Sequence, residues 1–548
     1  MSVLGQAVYR SRKTLAWAVA AGVASGAAGV GMIALVQAEL ARPGPSSWRM
    51  GAAFAALCVV GAVARVAAHV ATIRAGQGAI ASLCVRICRQ TLAMPLERFE
   101  KLDSSALLAV LTEDVVLVAQ AMAGLPQVCI DVPIVAGCLL YIGWLSPPVL
   151  LGGLIFAALA VSAYLAMAGR ALARIRAARS RQDQLVGHFR TLIHGFRELK
   201  QHGPRRRAFL SELLEPTAQG VREGTARGLG LYAIVLSWGQ LAFFSFLGVV
   251  AFALPAWVGL ERPAASGIVL VLLFLLGPLD WLISWLPVLG SARASMGRIS
   301  ALMPQLEGAD EASDAAAEIR PLPFRGEIEL DGIAYHYEGR DPGDDGFRLG
   351  PIDLTLRAGE LVILAGGNGS GKTTLLKLLT GLYEPNGGAI RIDGRELGDG
   401  DREAYRQLFT AVFNDGHLFR DLIGLDAADL ESRASSSLER MDLGGRVGVT
   451  ERAFSTVELS QGQRGRLALI SALLEDRPVY VLDEWAANQD ARFKRFFYHE
   501  VLPELRAAGK AVLVISHDET YYDLADRVVR LREGRVEGWE SLVAEGHD

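Results

Sequence analysis

Six runs of about 20 apolar residues fall within the first 290 positions of this 548-residue chain, at Leu15–Gln37, Gly51–Val70, Leu125–Leu145, Pro148–Ala168, Leu229–Leu254 and Gly267–Leu289. In lipid a chain can satisfy its backbone polar groups only as a helix or a closed barrel. Runs this long and this apolar therefore read as spanning helices. The first has no charged residue and is long for a leader core, so it is read as a retained span. The remaining half of the chain is a different kind of polymer, and the fold expected here has two parts.

Charge orients the helices. Arg10, Arg12 and Lys13 precede the first span, Arg74, Arg86, Arg89, Arg98 and Lys101 lie between the second and third, and a run from Arg170 to Arg227 lies between the fourth and fifth. The opposite connections carry only Arg42, Arg49 and Arg262. The positive-inside rule then puts both termini in the cytoplasm. The two long cytoplasmic connections are helical in pattern. Each is expected to hold a short crosswise helix, within Phe99–Asp114 and His194–Lys200. Five cysteines, all in the first third, sit in apolar surroundings and read as reduced thiols. With a net charge of −4 no nucleic-acid partner is expected, and Arg205-Arg206-Arg207 reads as cytosolic loop charge.

Polar groups inside the spans are costly and tend to face a cavity or a partner. Asp280 with Ser284 one turn on, Asp131 between Pro126 and Pro133, and Gln240 are the candidates for a substrate cavity. Helix–helix pairing is the competing role, and for Asp131 and Gln240 the sequence does not choose. Arg65, which shares a face with His69, reads as a side chain reaching for the cytosolic interface.

Composition changes at 303–325, where Glu307, Asp310, Glu311, Asp314 and Glu318 lie among alanines before Pro321 and Pro323. The domain reading is therefore 1–302 for the membrane part, 303–325 for a linker and 326–548 for a soluble α/β domain. There, Leu361–Ala365 is a buried strand, followed by Gly366-Gly367-Asn368-Gly369-Ser370-Gly371-Lys372-Thr373 and a helix opening at Thr374. Glycines in that setting let backbone N–H groups close around phosphate, Lys372 reaches the outer phosphates and Thr373 can ligate Mg²⁺. The chain is expected to bind ATP with Mg²⁺. A second apolar strand, Val479–Leu482, ends in Asp483 and Glu484, suited to holding the metal through water and to polarising an attacking water.

Leu459-Ser460-Gln461-Gly462-Gln463 opens a helix and closely resembles the signature sequence of ABC ATPases. The whole chain resembles an ABC exporter half-transporter: a six-span α-helical transmembrane domain fused to a cytosolic α/β phosphate-loop ABC ATPase domain. That resemblance implies that Ser460 and Gly462 of one subunit face the γ-phosphate held by another, so the chain is expected to pair, most simply with itself. It further implies that Tyr337 stacks on adenine, His517 contacts the γ-phosphate and Asp490 couples the two sites. Asn414 falls where the family has glutamine and is one methylene shorter, so it reaches a metal only through water, with Asp415 as a substitute.

The segments Phe413–Phe419 and Asp483-Glu484-Trp485-Ala486-Ala487-Asn488-Gln489-Asp490 resemble the bacterial cyclic-peptide and siderophore exporters, which include pyoverdine-precursor, syringomycin-type and lasso-peptide exporters. What this implies is export of a cyclic or non-ribosomal peptide, a siderophore or its precursor across the bacterial inner membrane into the periplasm, where accessory proteins could receive it. Lipid or glycolipid flipping, siderophore uptake and a regulatory membrane ATPase are the alternative readings.

Overall fold

The computed structural model describes residues 12–40, 48–254, 257, 262–306, 320–337, 346–414, 416–425 and 428–541. Arg10, Arg42, Asp415 and most of the acidic linker lie outside them. The chain forms two compact units, Met1–Cys88 with Ser104–Gln305, and Arg89–Asp103 with Leu306–Asp548. The second unit thus begins three residues after the expected 302/303 boundary and also takes in residues 89–103, which the sequence reading assigned to the membrane part.

The first unit is built from long helices: α1 Arg12–Leu40, α2 Trp48–Leu92 (shared with the second unit at its end), α4 Ser104–Leu145, α5 Pro147–His194, α6 Phe196–Gln201, α7 Gly203–Ala253 and α8 Arg262–Leu306. Six of these are long and apolar enough to cross a membrane. At 1.5 Å per residue, α2, α5 and α8, with 45, 48 and 45 residues, reach about 70 Å, twice the hydrocarbon thickness. The expected spans therefore continue well beyond the lipid as single helices.

Ile130, Ile134, Cys138 and Ile142 of α4 recur at helical spacing and share one buried cluster with Ile268, Val271, Leu272 and Leu275 of α8. Pro133 lacks an N–H, which removes the helical partner of the Cys129 carbonyl. Gly22 of α1 lies against that carbonyl, where a Cβ would stand 2.7 Å from the oxygen. Only glycine permits this approach, and the small-residue seam is how helices without a hydrophobic driving force associate in lipid. Nearer the end of α8, Arg298 Nε donates to both oxygens of the buried Asp114 carboxylate of α4, at 3.1 and 2.9 Å, and its NH2 group donates to Ser295 Oγ at 3.1 Å.

Two sequence expectations change here. The short helix expected within Phe99–Asp114 is instead α3, Leu96–Lys101. Leu102 is extended, with ψ of 139°, and Asp103 precedes a new helix start at Ser104, so residues 104–114 belong to α4. The helix expected over His194–Lys200 is α6, which begins two residues late because Gly195 ends α5. Asp131, a cavity candidate, is buried: Gln127 Nε2 donates to its Oδ1 at 2.8 Å, and Arg65 and His69 of α2 are near enough to act on its charge. Asp280, Ser284 and Gln240 are exposed on α8 and α7.

The second unit holds two main sheets and a small antiparallel pair, β7 Val449–Thr450 with β8 Ala453–Phe454. An antiparallel sheet has the order β2-β1-β4-β5, with β1 Glu327–His336, β2 Arg348–Arg357, β4 Gly387–Ile392 and β5 Arg395–Glu396. The larger sheet has the order β12-β11-β3-β10-β9-β6, with β3 Leu361–Ala365, β6 Phe409–Val412, β9 Val479–Asp483, β10 Ala511–Ile515, β11 Arg527–Arg532 and β12 Arg535–Ser541. Every residue of β3, β9 and β10 is buried, as expected for parallel strands covered on both faces.

Candidate functional site

Topology assembles the site. The parallel strands β3, β10 and β9 are neighbours, and Ile515 pairs with both Leu364 and Asp483. Their carboxyl ends therefore stop at one level, and the segments that follow them emerge together at one edge, the usual ligand position in an open α/β sheet. These segments are the phosphate loop after β3, Glu484 after β9, and Ser516-His517 after β10.

The loop leads into α9, Lys372–Leu379. Gly371 precedes it at φ 103°, and a Cβ there would stand 2.6 Å from Leu349 Cδ1, so only glycine fits. Lys372 is buried and its Nζ donates to the carbonyls of Gly366 and Gly367 at 2.9 and 3.0 Å. The ammonium thus holds its own loop in a closed curve. Ser370 Oγ is buried within this loop without a hydrogen-bond partner. Such an orphan is costly unless a ligand satisfies it. Tyr337 follows β1, with its hydroxyl 3.3 Å from Thr374 Oγ1 and its ring against Tyr335, Tyr383 and Phe347.

Asp483, the last residue of β9, is 6% exposed. Glu484 turns sharply into the left-handed region at φ 49°, which aims its carboxylate off the strand end. His517 Nε2 donates to Glu484 Oε1 at 2.9 Å, and Asn414 Nδ2 reaches Oε2 at 3.5 Å. Asn414 and His517 thus meet on one carboxylate. This carboxylate opens on a cavity of about 460 Å³ bounded by Asn414, Gln461, Arg464 and Trp485. Asp518, beside His517, is kept below the usual carboxylate range: burial raises it, but bonds from Thr520 and Lys494 outweigh that. Burial pushes the Tyr498 phenol up to about 12, so it stays protonated against Ser516 Oγ at 2.7 Å.

Ser460 caps α10, Gln461–Glu475, through a capping box in which its backbone N–H donates to Gln463 Oε1 at 3.2 Å. Asp490 Oδ1 accepts from the Phe493 N–H at 3.0 Å and starts the next helix. Between these lies a connection that sequence reasoning missed. Trp485 Nε1 donates to the Gly465 carbonyl at 2.6 Å, and Gln489 Nε2 donates to the Gly462 carbonyl at 2.9 Å. The segment after Glu484 is thereby clamped to the helix that opens at Ser460. The unusual Trp485 was visible in the sequence, but its partner was not.

Residues 349–487 match the ABC transporter family. The ATP-binding protein SyrD of Pseudomonas syringae pv. syringae is 34% identical over 502 residues, covering 90% of this chain and 88% of SyrD. This chain belongs to the ABC transporter family. The ABC transporter is also 30% identical over 473 residues to an ATP-dependent lipid A-core flippase of Alkalilimnicola ehrlichii, covering 82% of this chain and 77% of the flippase. A bacterial Atm1-family ABC exporter with ATP bound shares the fold, with a TM-score of 0.70 over 99% of this chain and 97% of that one, at 17% identity. The chain is therefore an ABC transporter with the exporter fold, a multi-pass membrane protein that binds ATP and couples its hydrolysis to transport.

Proposed function

We propose that this ABC exporter moves a cyclic or non-ribosomal peptide, a siderophore or its precursor from the cytoplasm to the periplasm as a homodimer in the bacterial inner membrane, both termini cytoplasmic. The observation that carries the cargo class is the resemblance of the two unusual segments 413–419 and 483–490 to cyclic-peptide and siderophore exporters, supported by 30% identity over 225 residues to a probable syringafactin export protein of Pseudomonas syringae pv. syringae.

In the proposed cycle Tyr337 stacks on adenine, and the backbone of Gly366–Gly371, with Asn368, Gly369, Ser370 and Thr374, encloses the phosphates. Ser370 Oγ, orphaned in the free loop, fits that role. Thr373 and Asp483 are the donors suited to Mg²⁺, with Asn414 acting through water. A bound Mg²⁺ would neutralise phosphate charge. Lys372 leaves its own carbonyls for the outer phosphates. Ser460, Gln461, Gly462 and Gln463 of the partner subunit close the site. Glu484 polarises the attacking water while His517 holds that carboxylate by its Nε2 proton and faces the γ-phosphate. Asp490 links one site to the other. ATP shifts the membrane helices only because it binds the closed dimer better than the open one.

Asp280, Ser284 and Gln240 are proposed to line the cargo path. Asp131, being buried and bonded to Gln127, is better suited to holding α4. Asp280→Ala should reduce cargo-stimulated ATPase several-fold in proteoliposomes; unchanged stimulation would remove Asp280 from that path. The match to the lipid A-core flippase favours lipid flipping as the second reading. Mass spectrometry of small molecules in cytoplasmic and periplasmic fractions separates the two. A peptide or siderophore precursor held in the cytoplasm when Glu484 is replaced by Gln supports peptide export, and a misplaced lipid with no trapped peptide supports flipping.

A further inference from the structure

A cluster of charged and aromatic side chains in the second unit joins residues 283 positions apart around one carboxylate, Glu100, that takes no part in the chemistry described above. Glu100 lies in α3, in the connection between α2 and α4. Lys377 of α9 donates to Glu100 Oε1 and Oε2 at 2.8 and 3.1 Å, and the Tyr383 hydroxyl donates to Oε2 at 2.5 Å. Lys377 Nζ also stands 4.8 Å over the Tyr383 ring. Tyr383 in turn meets Tyr337 at 6.1 Å between ring centres and Tyr335 at 5.1 Å, and Tyr335 meets Tyr337 edge-on at 5.0 Å. Tyr335 and Tyr383 are 3% and 2% exposed, so these contacts have the density of a core and little slack.

We propose that Glu100 is a positioning residue that reads the adenine platform: Tyr337 passes its position through Tyr383 to Glu100, and Lys377 ties the same carboxylate to the phosphate-loop helix. The inference rests on the proposed role of Tyr337. One carboxylate at the end of α3 is thereby bonded to both ends of the nucleotide site, the base side through Tyr383 and the phosphate side through α9. An isolated exposed ion pair would carry little such information. A carboxylate that also accepts a short phenol hydrogen bond has a fixed geometry. Burial, and then the bond to Glu100, hold the Tyr383 phenol far above its ordinary range, so it remains a donor.

The test uses full-length protein in vesicles of phosphatidylethanolamine and phosphatidylglycerol at three to one, with no cargo. Two quantities are read: ATP hydrolysis, and ATP-dependent protection from trypsin of the arginine-rich connection Arg197–Arg207. Wild type should show protection with ATP and orthovanadate. Glu100→Gln should hydrolyse ATP within about twofold of wild type and lose that protection, and Tyr383→Phe, which keeps the ring and removes only the hydroxyl, should lose it too. UTP, whose smaller base stacks less on Tyr337, should be hydrolysed by wild type with protection reduced several-fold. Full protection in both variants would overturn the relay, as would equal loss of hydrolysis and protection in both, the mark of a merely structural contact. Wild type without any ATP-dependent protection would instead count against the alternating cycle proposed above.

Discussion

Replacing Glu484 by Gln should lower steady-state ATP hydrolysis by about 10²–10⁴-fold, the contribution typical of a positioned general base. The substitution is close to isosteric. The glutamine oxygen can still accept from His517 Nε2, which in the wild type lies 2.9 Å from Glu484 Oε1. The backbone at position 484 keeps its left-handed turn, with φ of 49° in the wild type. What disappears is the negative charge that polarises water and the oxygen that can take its proton. ATP binding should persist, so the expected product is a closed dimer retaining unhydrolysed ATP, visible as a larger species that carries nucleotide through size-exclusion chromatography. Wild-type turnover in this variant would refute the assignment of Glu484 as base.

Lys372→Ala should weaken ATP binding roughly 10–100-fold, since hydrogen bonds to charged groups are worth about 1.5–3 kcal/mol and each 1.4 kcal/mol is tenfold. Two losses combine. The ammonium no longer meets the outer phosphates, and the Gly366 and Gly367 carbonyls lose the donor that holds the empty loop in shape. Isothermal titration with ATP measures the first. Thermal unfolding without nucleotide checks that the domain survives, and it should, because β3 and the buried leucines of α9 do not depend on this side chain. An unchanged ATP affinity would mean that the phosphates lie elsewhere.

Features carried by local chemistry were legible in the sequence. Leu361–Ala365 and Val479–Leu482 are short apolar runs, and each is part of or equal to a buried strand. The helix opening after Ser460 follows from its capping residues. Pairing is non-local, and nothing in these runs says that β10 lies between β3 and β9, although that order is what brings His517 to Glu484. The same holds for Glu100 with Tyr383 and for Trp485 with Gly465. Helical pattern in the first cytoplasmic connection was visible, but the break at Leu102 depends on one extended residue that periodicity does not reveal. Asp131 could not be assigned because a carboxylate facing Gln127 and one facing a cavity have the same sequence signature.

The hydrogen bonds from Trp485 and Gln489 to the helix that Ser460 opens have a consequence for inheritance. In the proposed dimer Glu484 serves the nucleotide on its own chain, while Ser460 serves the one on its partner. Because one chain ties these two segments together, an error in the tie damages both sites of any dimer that contains it. A single altered copy would therefore be dominant, and activity in a mixed population would follow the square of the healthy fraction.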